Sequence, residues 1–206
     1  MAQDRRVRRT RAALHDALLS LMIEKGYEAV TVQDLIDRAD VGRSTFYAHF
    51  GDKDDLLRDA LAQLQTMVSP ARRPDRVDRR RPVRFGLQML QHVKDQQDLL
   101  RALLTRSSGG VVRTEIERLL TAVVSQELDA LAEVSAPPRL PPDLLAASVV
   151  ATFMTVLQWW VDEGFRHAPE EVEAVFLTLA GPSIRAAIPP APPVHAESGP
   201  TRAGGS

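Results

Sequence analysis

The chain has 206 residues, 44% apolar and 26% charged, which suits one or two soluble globular domains and excludes a wholly disordered or collagen-like polypeptide. With 26 basic against 27 acidic residues the net charge is −1, so a nucleic-acid surface would have to be a local patch. The absence of cysteine excludes disulfides, thiolate nucleophiles and zinc–thiolate sites.

Helical periodicity runs through the chain, with no convincing alternating strand. Arg5, Arg6, Arg8, Arg9 and Arg11 open it, and Asp16, Glu24 and Lys25 then interrupt any secretory-signal core. The expectation is a cytoplasmic protein. Over residues 8–25, Leu14, Leu18, Leu21 and Met22 share one face, and Gly26 stops that helix. Thr31 begins a second helix, with Asp34 three residues on as a variant of the capping box. Its inward face is Val32, Leu35, Ile36 and Ala39, and Asp40-Val41-Gly42 breaks it. A third helix runs from Arg43 to Phe50 with Phe46, Tyr47 and Phe50 as its apolar side. Asp52 caps a fourth, whose first turn holds Asp54 and Asp55 and which continues toward Met67.

Residues 68–81 form a proline- and arginine-rich linker, more in keeping with a solvated loop than with a second phosphate-binding segment. Five helices follow over 82–188. Pro82 suits a first helical position ahead of Phe85, Met89 and Val93. A short helix spans about Asp98–Thr105, and a longer one spans 111–133 with Ile116, Leu120, Val123, Val124 and Leu128 inward. Between Asp143 and Asp162 lie 18 uncharged residues, the lower edge of a membrane-spanning length. Ser148, Thr152, Thr155 and Gln158 interrupt the run and both flanks are acidic, which favours a buried helix and no membrane partner. The last helix opens at Pro169, Glu170 and Glu171, and Gly181-Pro182 should kink or break it. Residues 189–206 read as a disordered tail.

Residues 31–53 are the informative segment. Helix, three-residue break and short second helix is helix-turn-helix spacing. Physically, the first helix braces across the DNA backbone while the second enters the major groove. Here the short helix anchors itself with Phe46 and Phe50 and offers Arg43, Ser44, Thr45 and His49 outward. The spacing alone is common among helical proteins, but the residues are more specific. Thr31-Val32-Gln33-Asp34-Leu35-Ile36, Ala39-Asp40-Val41-Gly42-Arg43-Ser44-Thr45-Phe46-Tyr47-Ala48-His49-Phe50 and Lys53-Asp54-Asp55-Leu56-Leu57 resemble the DNA-binding domain of the tetracycline-repressor (TetR) family. Glu24-Lys25-Gly26-Tyr27 matches as well, so the resemblance covers about residues 8–65. Asp40 stands where the family usually has glycine, and Gly42 where it often has a capping serine.

The resemblance implies an all-α protein in two parts. A helix-turn-helix DNA-binding domain with a basic arm occupies residues 1–67, and a helical ligand-binding and dimerisation domain occupies 82–188. By position, Thr31, Tyr47, His49 and Lys53 would meet the DNA backbone, and Arg43, Ser44 and Thr45 base edges or nearby phosphates. Arg43 is the foremost base reader, since arginine to guanine is the commonest specific contact. The cluster from Arg5 to Arg11 is either a DNA arm or a loose basic tail, and Tyr47 has a core reading beside its DNA reading. The resemblance further implies a homodimer through the last two long helices, with Phe153, Trp160, Val172 and Phe176 as candidate contacts. A helix uncharged over 18 residues needs burial on several sides, and a partner subunit supplies one. A small apolar effector is expected in the second domain, for which Phe85, Met89, His92, Leu120, Met154 and Gln158 are the candidate lining; Met89, Met154, Phe153 and Trp159 also read as core. Its binding would be linked reciprocally to DNA binding through helix four.

His15, His49, His92, His167 and His195 show no metal-ligand spacing, so no metal or other cofactor is expected. There is no G-x-S-x-G elbow, no P-loop and no G-x-G-x-x-G, hence no catalytic residue to name. The competing reading of another class is a helical protein-interaction module whose helix-turn-helix is only architectural.

Overall fold

The computed structural model describes residues 2–68, 81–98, 100–101, 109–133 and 135–190. Within them the protein is all-α, in two parts. Helices α1 (Ala2–Lys25), α2 (Val32–Ala39), α3 (Arg43–Tyr47) and α4 (Lys53–Val68) form the first. Helices α5 (Phe85–Asp95), α6 (Gly109–Glu133), α7 (Pro142–Asp162) and α8 (Pro169–Ala187) form the second. The linker lies outside the described residues apart from Val68 and Arg81, and so does most of the short helix expected from Asp98.

The first part is built on one apolar cluster. Leu14, Leu18 and Met22 of α1, Leu35 and Ile36 of α2, Phe46 and Phe50 around α3, and Leu56 and Leu57 of α4 are all buried in it. These are the spaced apolar positions of the sequence. Two details differ from expectation. Helix α1 starts six residues before Arg8, so the arginine cluster is helical. Helix α3 ends at Tyr47, whose ring is 52% exposed and belongs to no core.

In the second part α6 packs on α7, α7 on α8 and α8 on α5. Phe85, Phe153 and Phe176 meet at its centre with ring centroids 5.0–5.8 Å apart. Gly86 lets α5 approach: a Cβ there would stand 3.3 Å from the Phe176 ring. Helix α7 is long and apolar enough to cross a membrane (mean hydropathy 1.7), yet 56% of that window is buried in the fold. Its stop is local. Gly164 and Phe165 both take positive φ, 69° and 58°. The Phe165 conformation is held by its buried ring against Trp160 and by Lys94 Nζ, which donates to its carbonyl at 2.9 Å.

Three expectations for this part need correction. Helix α8 runs through Gly181-Pro182 to Ala187 without a break. Pro182 sits on the exposed side, while Ile184, Ala187 and Ile188 are buried and hold the last turn in place. Pro189 and Pro190 are ordered too: Ala136 N–H donates to the Pro189 carbonyl at 3.1 Å, and Arg139 N–H to that of Ala187 at 2.8 Å. The remainder of the expected tail, 191–206, lies outside the described residues. Trp159, expected in the core, is partly exposed and stacks on His167 with centroids 5.1 Å apart.

The two parts share a seam. Val112, in the first turns of α6, is buried in the cluster of the first part, and Leu61 of α4 and Ile116 of α6 pack against both clusters.

Candidate nucleic-acid interface

Thr31 caps α2 in the manner the sequence predicts. Its Oγ1 accepts the Asp34 N–H at 3.2 Å, and its own N–H donates to Asp34 Oδ2 at 2.7 Å. The Thr31 hydroxyl donates to the same oxygen at 2.6 Å and Lys25 Nζ lies 2.7 Å from it. The Lys25 bond, followed by the two from Thr31, holds the Asp34 carboxyl well below the usual carboxylate range. Helix α2 ends at Asp40, whose φ of 51° and ψ of 50° are left-handed. Asp is among the few non-glycine residues that adopt this state readily. Gly42 then caps α3 at an ordinary φ of −72°, so nothing in the backbone requires glycine there.

Helix α3 divides cleanly into two sides. Phe46 is fully buried, with Phe50 beside it at a centroid distance of 6.0 Å. Arg43, Ser44 and Tyr47 are exposed, and Thr45 and His49 are half-buried at the margin. These five side chains present a guanidinium, hydroxyls and an imidazole along one outward side, the groups that meet base edges and phosphates.

Lys53 and Thr31, both expected at the DNA backbone, have their polar groups engaged within the chain. Lys53 turns inward: its ammonium donates to the carbonyls of Tyr27, Glu28 and Val30 at 3.1, 3.4 and 3.0 Å and sits 4.6 Å from the Tyr27 ring centroid. All three of its donors then close the turn Tyr27–Ala29, where a phosphate contact had been expected. Thr31 likewise has both its N–H and its hydroxyl committed to Asp34. Sequence reasoning missed this role of Lys53 because the acceptors are backbone carbonyls 23–26 residues away.

The block below α3 is tied by polar groups. Tyr27 is buried and its hydroxyl donates to Asp54. Burial, and then that bond, push the phenol far above its ordinary value, so it stays a donor. Arg38 makes a two-pronged pair with Glu24, at 2.8 and 2.7 Å, clamping α2 to α1. Asp59 of α4 takes both Arg11 and His15 Nε2, the latter at 2.9 Å, while Gln63 lies 3.2 Å from His15 Nδ1. Arg11, itself half-exposed, therefore braces α1 against α4, separate from Arg5, Arg6, Arg8 and Arg9, which are exposed along α1.

The candidate effector residues come together only in part. Phe85, Met89, Leu120 and Met154 lie in one core cluster. His92 is half-buried, and Gln158 bonds Asp162 Oδ1 at 2.8 Å on the outer side of α7. The candidate dimer residues need correction. Phe153, Trp160, Val172 and Phe176 are all 0% exposed, enclosed in the chain's own core, and offer no surface to a partner. The same helices carry a different outward stripe: Leu144, Ala151, Thr155 and Trp159 on α7, and Val175 and Leu179 on α8. Periodicity identified apolar positions but could not tell which side of a helix apolar all round faces its own core.

The comparisons agree over both parts. The sequence model of bacterial regulatory proteins of the tetR family matches residues 14–60. A model described as a transcriptional regulator C-terminal region matches residues 84–180. The chain is 28% identical over 181 residues to the HTH-type transcriptional regulator YxbF of Bacillus subtilis, covering 84% of this chain and 45% of that protein. It thus spans less than half the length of that relative. The crystal structure of a TetR transcriptional regulator from Streptococcus agalactiae is 28% identical, with a TM-score of 0.64 over 87% of this chain and 98% of that one. A second structure, of a regulator from Syntrophomonas wolfei, shares the fold with a TM-score of 0.67 at 21% identity, over 85% of this chain and 94% of that one.

Proposed function

Because the chain belongs to the TetR family of bacterial transcriptional regulators, which are not enzymes, we propose that it is a cytoplasmic repressor that binds a palindromic operator as a homodimer and is released by a small apolar effector. One observation carries the DNA-reading part. Helix α3 anchors one side with Phe46 and Phe50 and leaves Arg43, Ser44 and Tyr47 exposed, flanked by Thr45 and His49. Arg43 is the base reader and the other four fix register on the backbone. The exposed arginines Arg5, Arg6, Arg8 and Arg9, on the leading turns of α1, add sequence-independent attraction to phosphate.

The homodimer reading rests on the outward stripes of α7 and α8, where Leu144, Trp159, Val175 and Leu179 are large apolar groups left exposed. A two-fold pairing there would set two α3 helices against half-sites about one helical turn, 34–36 Å, apart. The effector reading rests on the family and on the apolar interior around Phe85, Met89, Leu120 and Met154, with His92 and Gln158 at its margin. A ligand favouring a wrongly spaced pair of α3 helices would lower DNA affinity, and DNA would lower ligand affinity by the same factor.

The test is binding of the full chain to fluorescent DNA from upstream of its own gene, against scrambled DNA, at two salt concentrations. The expected result is a preference of about 10³-fold or more, with affinity falling steeply as salt rises. Arg43→Ala should abolish the preference. No preference there, and none after selection from random DNA, would overturn the reading in favour of a protein-interaction module.

A further inference from the structure

A cleft of about 210 Å³ lies where the two parts meet, between α4 and α6. Its apolar surface comes from Leu61 on α4 and from Leu119 and Ala122 on α6. Its charged groups are Arg58 from α4 and Glu115 and Arg118 from α6. At about 30 Å³ per water the space holds roughly seven waters, or a molecule of about eight heavy atoms. The interior around Phe85, Phe153 and Phe176, by contrast, is occupied by the three rings themselves.

The charges define what fits. Arg118 gives Nε and Nη2 to Glu115 Oε2, at 3.0 and 2.5 Å, which leaves its Nη1 edge to other acceptors. Arg58 approaches Asp55 of its own helix only to 3.6 Å, too long for a hydrogen bond. Two guanidinium groups, one from each part of the protein, thus line the cleft with its apolar floor, Arg118 bonded to the lining carboxylate of Glu115 and Arg58 in a looser ion pair with Asp55. Guanidinium donors are matched in geometry by a carboxylate, and the floor by a short hydrocarbon body.

We propose that this cleft is a binding site for a compact organic monocarboxylate, its head on Arg58 and the open edge of Arg118 and its apolar body on Leu61, Leu119 and Ala122. Glu115 sets the affinity from the other direction, since its charge repels the ligand head and occupies part of Arg118. Leu119 of the cleft floor also belongs to the core cluster of the second part, and the proposal stands or falls on direct binding, whatever the protein does on DNA.

Titration of the full chain with hexanoate, followed by ligand-observed NMR, tests it, with hexan-1-ol as the uncharged control. The expected dissociation constant for so small a ligand is on the order of 1 mM. Hexan-1-ol should bind at least about tenfold more weakly, and Arg58→Gln should weaken hexanoate by about tenfold, one charge-assisted hydrogen bond at a half-exposed position. Glu115→Gln should tighten it, an effect in the sense opposite to general loss of structure. Ala122→Phe, which fills the cleft from an exposed wall, should abolish binding with helical circular dichroism retained. The proposal is overturned if hexanoate does not bind at about 10 mM, if hexan-1-ol binds as well, or if Arg58→Gln and Ala122→Phe leave binding unchanged.

Discussion

Two cations near the reading helix have opposite fates, and their sequence context did not separate them. Arg43 is exposed on α3, so replacing it removes the proposed base reader and nothing that holds the fold. Lys53 closes a turn by donating to three carbonyls. Lys53→Met should therefore destabilise the protein by about 1–2 kcal/mol in urea unfolding, the low end for charged hydrogen bonds because the group is half-exposed. Arg43→Ala should leave the unfolding midpoint unchanged. In operator binding the order reverses, with Arg43→Ala the more damaging by at least about tenfold. A Lys53→Met protein as stable as the wild type would refute the inward role. The caps and the anchoring rings were legible because they are local patterns: Thr31 with Asp34, Asp52 with Asp55, Phe46 with Phe50. The inward turn of Lys53 was not, because acceptors on the backbone leave no trace in residue type.

Among the helices, α5 is held at its start by an acid from elsewhere in the chain. Glu127 of α6 accepts the N–H groups of Arg84 and Phe85 through Oε2, at 2.6 and 3.4 Å, which explains why the helix begins at Phe85 and not at Pro82. Its Oε1 is buried and has no hydrogen-bond partner among the described residues. Burial raises the Glu127 carboxyl above its ordinary value of 4.5, partly offset by the two backbone bonds and by Arg84. A carboxyl raised in the folded state binds more protons there than in the unfolded chain. Its contribution to stability is therefore greatest at low pH and falls as pH rises from 4.5 through the folded value. Glu127→Gln should remove that slope: measured by urea unfolding at successive pH values, wild type should lose stability relative to the variant as pH rises above about 4.5. A constant difference between them would show that Glu127 does not titrate in this range. The same helical scale holds the chief misreading. A proline after a glycine argued for a break in α8, yet buried Ile184 and Ala187 on the opposite face keep the last turns helical. Tertiary burial outweighed a local breaker, and no local pattern reports it.

For the molecule as a whole, the order of the helices and the two-part division were readable from periodicity and from the resemblance around residues 31–53. The side each long helix gives to its own core was not, because α7 is apolar on most of its circumference. The four residues expected at a partner's surface turned out to be interior, and the outward stripe of Leu144, Trp159, Val175 and Leu179 takes their place in the proposal. Leu179, 56% exposed, gives a clean test. Leu179→Asp should convert a dimer to a monomer at micromolar concentration in sedimentation equilibrium, with the helical signal intact. A wild-type monomer, or a variant that still pairs, would place the interface elsewhere.

The seam between the two parts has a consequence for protein engineering. Val112 lends its side chain to the core of the DNA-reading part from a helix more than 40 residues further along the chain than α4. The first four helices are therefore not a detachable module with a finished hydrophobic surface. A chimera that grafts residues 1–67 onto a foreign sensory body must bring a valine-sized plug into the same socket. Without one, the transplanted head inherits a hole in its own interior, and the hybrid loses stability before any question of signalling arises.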